Sequence, residues 1–171
     1  MKKVFCIVVF AILVSVNLYS QRVVALGNTI IQKNDITSSK SILNQNGFSL
    51  LSAQELRNLG HNPNTVIFAT KGFDQSNSIM ANVTAISQTN RGIKEAMFIC
   101  SEPYAKYIVS DLRDNGYKEA KEREYMENGR FRIIEKTYQK RYVDHTNIAI
   151  VKFFTDGTGG AIITFSSKKS N

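Results

Sequence analysis

Ser101-Glu102-Pro103-Tyr104-Ala105-Lys106-Tyr107-Ile108-Val109-Ser110-Asp111-Leu112-Arg113-Asp114-Asn115-Gly116-Tyr117 is the stretch from which the fold follows. Ser101 is suited to cap a helix, Glu102 favours its positive end, and Pro103 is tolerated in the first turn. Tyr104, Ile108 and Leu112 recur every four residues with Ala105 and Val109 beside them, which makes one apolar face. Asn115-Gly116 then supplies the left-handed residue that stops a helix. Tyr117 to Met126 follows as a charged strand or a short helical extension, with the strand preferred because of what comes next. Asn128-Gly129 is a two-residue hairpin signal, and it leads into Arg130 to Arg141, whose alternation is β-like. Asn147 to Phe154 is apolar on both faces apart from Lys152, as an interior strand would be. Asp156-Gly157-Thr158-Gly159-Gly160 turns the chain into a last strand, Ala161 to Ser166.

Upstream lies an echo. Leu43-Asn44-Gln45-Asn46-Gly47-Phe48 parallels Leu112-Arg113-Asp114-Asn115-Gly116-Tyr117 at a spacing of 69 residues, and the same offset sets Ile79 on Ile148. Asp35 is placed to cap a helix running to about Asn46. Val66 to Lys71, Ile79 to Ser87 and Ile93 to Cys100 read as strands, with turn-forming residues between them. Residues 49–64 look inserted, with a short helix at Ala53 to Leu59 before a turn at Asn62-Pro63.

The expected fold is therefore α+β: one antiparallel sheet built from two helix-plus-meander repeats, 33–100 and 101–168, with helices on one face and the other face open. One helix covers its sheet face only partly, so pairing two units enlarges the shared core. On the Asn-Gly-aromatic motif and this element order, the chain resembles the beta-lactamase-inhibitor-protein-like domains with tandem helix-plus-meander units. Many of those are exported binding or inhibitory modules, which is what the resemblance implies here.

The N-terminus points the same way. Lys2 and Lys3 precede an apolar stretch from Val4 to Leu18, and small Ser15 and Ser20 flank a cut before Gln21. That is a secretory signal pattern over residues 1–20, too short in its apolar part for a spanning helix. The expectation is an exported protein, periplasmic or secreted, with residues 21–171 as a single domain. That length buries about two-thirds of its unfolded surface, which suffices for a core without disulfides. The formal charge is +8, of which Lys2 and Lys3 supply 2, leaving +6 on residues 21–171. A basic domain favours acidic partners on encounter.

Residues that carry chemistry are sparse. Cys6 falls within the signal segment, so Cys100 is the one cysteine of the mature region. Alternation sets Cys100 beside Ala96 and Phe98 on one strand face, where a thiol behaves as a small hydrophobe. A nucleophile there would need exposure and a nearby positive group, with His145 as its base. His61 falls in a turn. Asp144 and His145, adjacent on an extended chain, should point to opposite faces. The Asp156 to Gly160 loop precedes a strand, which disfavours a phosphate cradle, and its residue order is wrong for an aspartic-protease loop. No metal-ligand spacing is present, and the carboxylates of residues 119–127 alternate with lysines and arginine as on a solvated face.

The distinctive segment is Arg130 to Arg141. On a strand Arg130, Arg132, Ile134, Lys136, Tyr138 and Lys140 share one face, a basic strip that suits an acidic protein or glycan on an open sheet. Export argues against nucleic acid. No catalytic set, metal site or cofactor site is expected. The reading is a non-catalytic binding or inhibitory module. A thiol-dependent or hydrolytic enzyme using Cys100 and a structural protein that assembles through edge strands are the alternatives.

Overall fold

The computed structural model describes residues 23–72, 79–85, 92–155 and 159–169. The expected signal segment lies outside them, as do residues 86–87 of one expected strand and 156–158 of the last turn. Within them are helices α1 (residues 23–33), α2 (Ile36–Gln45), α3 (Ala53–Asn58) and α4 (Glu102–Asp114). The strands are β1 (Ser49–Leu50), β2 (Val66–Lys71), β3 (Ile79–Ala85), β4 (Ile93–Ser101), β5 (Lys118–Glu127), β6 (Phe131–Arg141), β7 (His145–Phe154) and β8 (Gly160–Lys169). They form one antiparallel sheet in the order β1-β2-β3-β4-β8-β7-β6-β5.

Both Asn-Gly-aromatic motifs end helices by the same hydrogen bonds. Phe48 N–H donates to Leu43 O at 3.0 Å and Gly47 N–H to Asn44 O at 2.9 Å. Tyr117 N–H donates to Leu112 O and Gly116 N–H to Arg113 O, both at 2.9 Å. This is the paired bond pattern of a left-handed C-terminal cap, which leaves φ at +78° for Gly47 and +81° for Gly116. Side chains repeat it too: Asn46 Nδ2 donates to Ile42 O and Asn115 Nδ2 to Asp111 O, each at 2.8 Å. Asp35 caps α2 by accepting from Ser38 N–H at 2.6 Å. Asn128 and Gly129 both have positive φ, 53° and 66°, as the tight β5–β6 turn requires.

The register sorts the strand residues into two faces. Ala69, Ala81, Phe98, Ile163, Val151 and their neighbours share one face, and a single core joins them to buried residues of α1, α2 and α4. Phe98 centres it, edge-on to Phe165 at 6.0 Å and to Phe48 at 6.5 Å. Fully burying a side chain such as Ile108 is worth about 1.5–3 kcal/mol.

Three features differ from the sequence reading. Helix α1 was not expected: Val23, Val24, Leu26, Ile30 and Ile31 are buried at helical spacing, but Gly27-Asn28 interrupts the pattern. Gly27 lies so close to Phe165 that a Cβ would overlap the ring. Residues 49–64 are not wholly an insertion, because Ser49 and Leu50 pair with Thr70 and Ala69 to start the sheet. Ile79 and Ile148 do occupy β3 and β7, yet the register puts Ile79 on the core face and Ile148 on the other.

Candidate functional site

The basic strip of β6 is divided by its surroundings. Ile134, Lys136 and Tyr138 pair in register with Phe153, Val151 and Ala149, so they lie on the core face of the sheet. There they line a groove of about 380 Å³ with Lys106, Val109 and Arg113 of α4. Arg130 sits in the β5–β6 turn, Arg132 pairs with Glu124, and Lys140 stands 5.5 Å from the centre of the Tyr142 ring. The register sets Arg132, Ile134, Lys136, Tyr138 and Lys140 on one face of the strand, and that face is the one α4 approaches. Tyr138 is fully buried and offers no surface to a partner.

Charge in the groove is largely neutralised. Lys106 bonds Glu102 at 2.8 Å, Lys136 bonds Glu122 at 2.9 Å, and Arg113 bonds Glu119 at 3.2 Å. The Tyr138 hydroxyl is out of water beside Arg113 and Glu119. Burial first, and then the Glu119 charge, push its pKa up to about 12.

On the opposite face of the same hairpin, Glu135 is buried among donors. Arg123 Nε donates to Glu135 Oε1 at 2.8 Å and Arg123 Nη2 to Oε2 at 3.0 Å, while Tyr125 Oη donates to Oε2 at 3.2 Å. Lys152 Nζ stands 3.9 Å from both Glu135 and Glu127. The forked guanidinium bond holds the Glu135 carboxyl below the usual carboxylate range, against the opposing effect of burial. The network fastens β5, β6 and β7 together.

Ile133 is fully buried on that face beside Glu135, but towards β3, β4 and β8 the face carries apolar side chains that are half-buried or exposed. Met80, Ile99 and Ile162 are direct cross-strand neighbours on β3, β4 and β8, and Met80 and Ile99 are 44% and 37% exposed. The adjacent row runs from Phe68 through Asn82, Met97 and Thr164 to Ile150. All five of these are half-buried, and His61 lies against Phe68 with ring centres 5.0 Å apart. Sequence reasoning missed this surface: Asn147 to Phe154 reads as apolar on both faces, which periodicity takes for interior, and nothing local marks Met80 or Ile99 as exposed.

Cys100 and His145 do not come together. Cys100 is buried, and burial pushes its thiol up to about 12. It pairs with Ala161 while His145 pairs with Lys169, eight residues along β8 and so roughly 26 Å apart at about 3.3 Å per residue. Asp144 and His145 do meet, with Oδ1 and Nδ1 at 2.6 Å. Asp144 belongs to a bend ahead of β7, so strand alternation does not apply to it. His61 is exposed. No group of three or more metal-ligating side chains occurs among the described residues, and no described helix is long and apolar enough to cross a membrane.

No protein-family model, curated protein or solved structure matches the chain.

Proposed function

We propose that the chain is an exported, non-catalytic module that binds a protein partner with the accessible face of its sheet. The observation that carries this is the two-row apolar surface of Met80, Ile99, Ile162, Phe68, Met97 and Ile150. Contiguous exposed apolar area on a folded domain marks an interaction site, and methionine adapts to a partner's contour. A glycan would need more hydrogen-bonding groups than Asn82 and Thr164 offer here, which favours a protein. Paired charges at Lys152, Glu135 and Arg123 bound the patch on one side and give it a polar rim.

The doubled unit with helices on one face supports the same reading. Identical caps close α2 and α4, and the strand order reads alike outward in both directions from the β4–β8 pair. Buried residues of α1, α2 and α4 join one core with one face of the sheet, which favours leaving the other face for binding. Such an arrangement is in keeping with the beta-lactamase-inhibitor-protein-like resemblance. The lysine-plus-apolar N-terminus supports export, periplasmic or secreted.

Co-purification from an envelope fraction tests this. Ile99→Glu should abolish recovery of the partner, whereas Tyr107→Glu on α4 should retain it. A triple Arg130, Arg132 and Lys136 change to Glu should also retain it. Loss in the triple variant with recovery in Ile99→Glu would move the interface to the groove side and overturn the proposal.

A further inference from the structure

The turn between β6 and β7 carries the most exposed large apolar side chain among the described residues. Val143 is 101% exposed and stands between Tyr142 and Asp144, both exposed as well. Tyr142 N–H donates to His145 O at 2.8 Å, which closes the turn, and Val143 projects into solvent from the end of the sheet. We propose that this end docks on an anionic lipid bilayer. Val143 and Tyr142 enter the interface, and the basic side chains around them meet lipid phosphates. The docking is independent of the protein-binding face.

Charge around the tip carries the argument. Behind the turn, the first row across the sheet is Arg141, Thr146 and Lys168, and Lys169 pairs with His145 beside it. Lys140, Asn147 and Ser167 make the second row. Lys118, where β5 begins, pairs with Gln139 in the third. None of these five cations forms an ion pair among the described residues. By contrast, Lys106, Arg113, Arg123, Arg132 and Lys136 are each bonded to a carboxylate. The turn's own carboxylate, Asp144, is bonded to His145. Glu119 lies deeper, level with Tyr138, and is bonded to Arg113, while Glu95 stands on β4, two strands from β7. Unpaired positive charge therefore surrounds Val143. A concavity of about 650 Å³ opens between Lys118, Gln139, Lys140 and Arg141, with the already bonded Glu119 on its wall. That volume admits a phosphate headgroup.

The combination selects a bilayer over other anions. Cations close to an anionic membrane each add attraction, and their apolar stems let the charged heads reach the phosphates. An aliphatic side chain at the tip adds insertion, and tyrosine favours the interfacial depth. Reversible membrane binding draws on both terms, buried apolar area and attraction to anionic lipid. An acidic glycan or a nucleic acid would meet the cations but leave Val143 in water. The Tyr142 ring is stacked on His145 with centres 4.5 Å apart, and Lys140 stands 5.5 Å from its centre, so it is poorly placed to stack on a base. Docked by this end, the strands run away from the bilayer and the accessible face of the sheet stays free for its partner.

The test uses residues 21–171, which contain the whole of the described core and lack the apolar N-terminal stretch. The chain has no tryptophan, so a single one reports its own surroundings. Val143→Trp is compared with Met126→Trp, near the far end of β5, and Tyr107→Trp on α4. Each is mixed with vesicles of phosphatidylglycerol and phosphatidylethanolamine, or of phosphatidylcholine alone. The protein should sediment with the anionic vesicles and not with the neutral ones, and about 0.5 M sodium chloride should weaken the binding severalfold. On binding, Val143→Trp emission should move to shorter wavelength while the other two stay unchanged. Val143→Glu, and Arg141→Glu combined with Lys168→Glu, should each weaken vesicle binding by at least about tenfold. These three positions are exposed, so melting should be unaffected. No sedimentation with anionic vesicles, equal sedimentation with both kinds, or wild-type binding by Val143→Glu would each overturn the proposal. So would an unshifted Val143→Trp in vesicle-bound protein, or a shift at Met126→Trp or Tyr107→Trp in its place. Retention by heparin or a DNA oligonucleotide without vesicle binding would assign the cations to a polyanion instead.

Discussion

Two side chains show how environment decides what a residue can do. Cys100 has the sequence context of a small core hydrophobe, and its thiol is pushed up to about 12 by burial alone. At pH 8 a maleimide should therefore label native protein far more slowly than denatured protein, by at least about tenfold. Rapid native labelling would restore the thiol-enzyme reading. Glu135 is the reverse case: nothing in Arg132-Ile133-Ile134-Glu135 signals a buried carboxylate, because its partners Arg123 and Tyr125 arrive from another strand. Its folded pKa is lowered, so the unfolded chain takes up the proton first. The network's stabilisation is thus present above the unfolded value of about 4.3 and is lost as pH falls through the folded value. Arg123 is half-exposed, so solvent screens the pair. Glu135→Gln should cost about 1–2 kcal/mol at pH 7 and flatten the urea midpoint between pH 5 and pH 2, on the order of the carboxylate's titration window. An unchanged midpoint at pH 7 would mean the network adds nothing.

Element by element, the sequence was most legible where local chemistry alone sets the structure. The α4 face, the two Asn-Gly caps and the Asn128-Gly129 turn are each specified within a few residues. Helix α1 was illegible for a physical reason. Gly27 is there to let the helix approach Phe165, a tertiary requirement that breaks the local pattern. Gly→Ala inside a helix ordinarily stabilises by about 0.5–1 kcal/mol. Here overpacking against the ring should outweigh that, leaving Gly27→Ala less stable by about 1–2 kcal/mol in urea unfolding. A stabilised Gly27→Ala would place α1 elsewhere. The edges are protected as well: β1 has two residues, and β5 alternates lysine and glutamate with a register shift between Glu119 and Lys121. Short, charged or bulged edges discourage strand-to-strand assembly.

For the molecule as a whole, the basic strip illustrates what a sequence can and cannot give. Alternation grouped Ile134, Lys136 and Tyr138 on one side of a strand, and they are on one side. Which side faces outward depends on where α4 comes to lie, and nothing in the strip itself encodes that. The apolar surface around Ile99 was hidden by the same missing information. The account now rests on the sheet having one face joined to the helices and one face left for a protein partner. Photo-cross-linking tests this most directly, with benzoylphenylalanine placed in turn at Met80, Ile99 and Ile162 on the accessible face and at Tyr107 and Lys136 on the other. In an envelope fraction the first three positions should capture one common partner and the last two should not. Capture from Tyr107 or Lys136, with none from Met80, Ile99 and Ile162, would contradict the account.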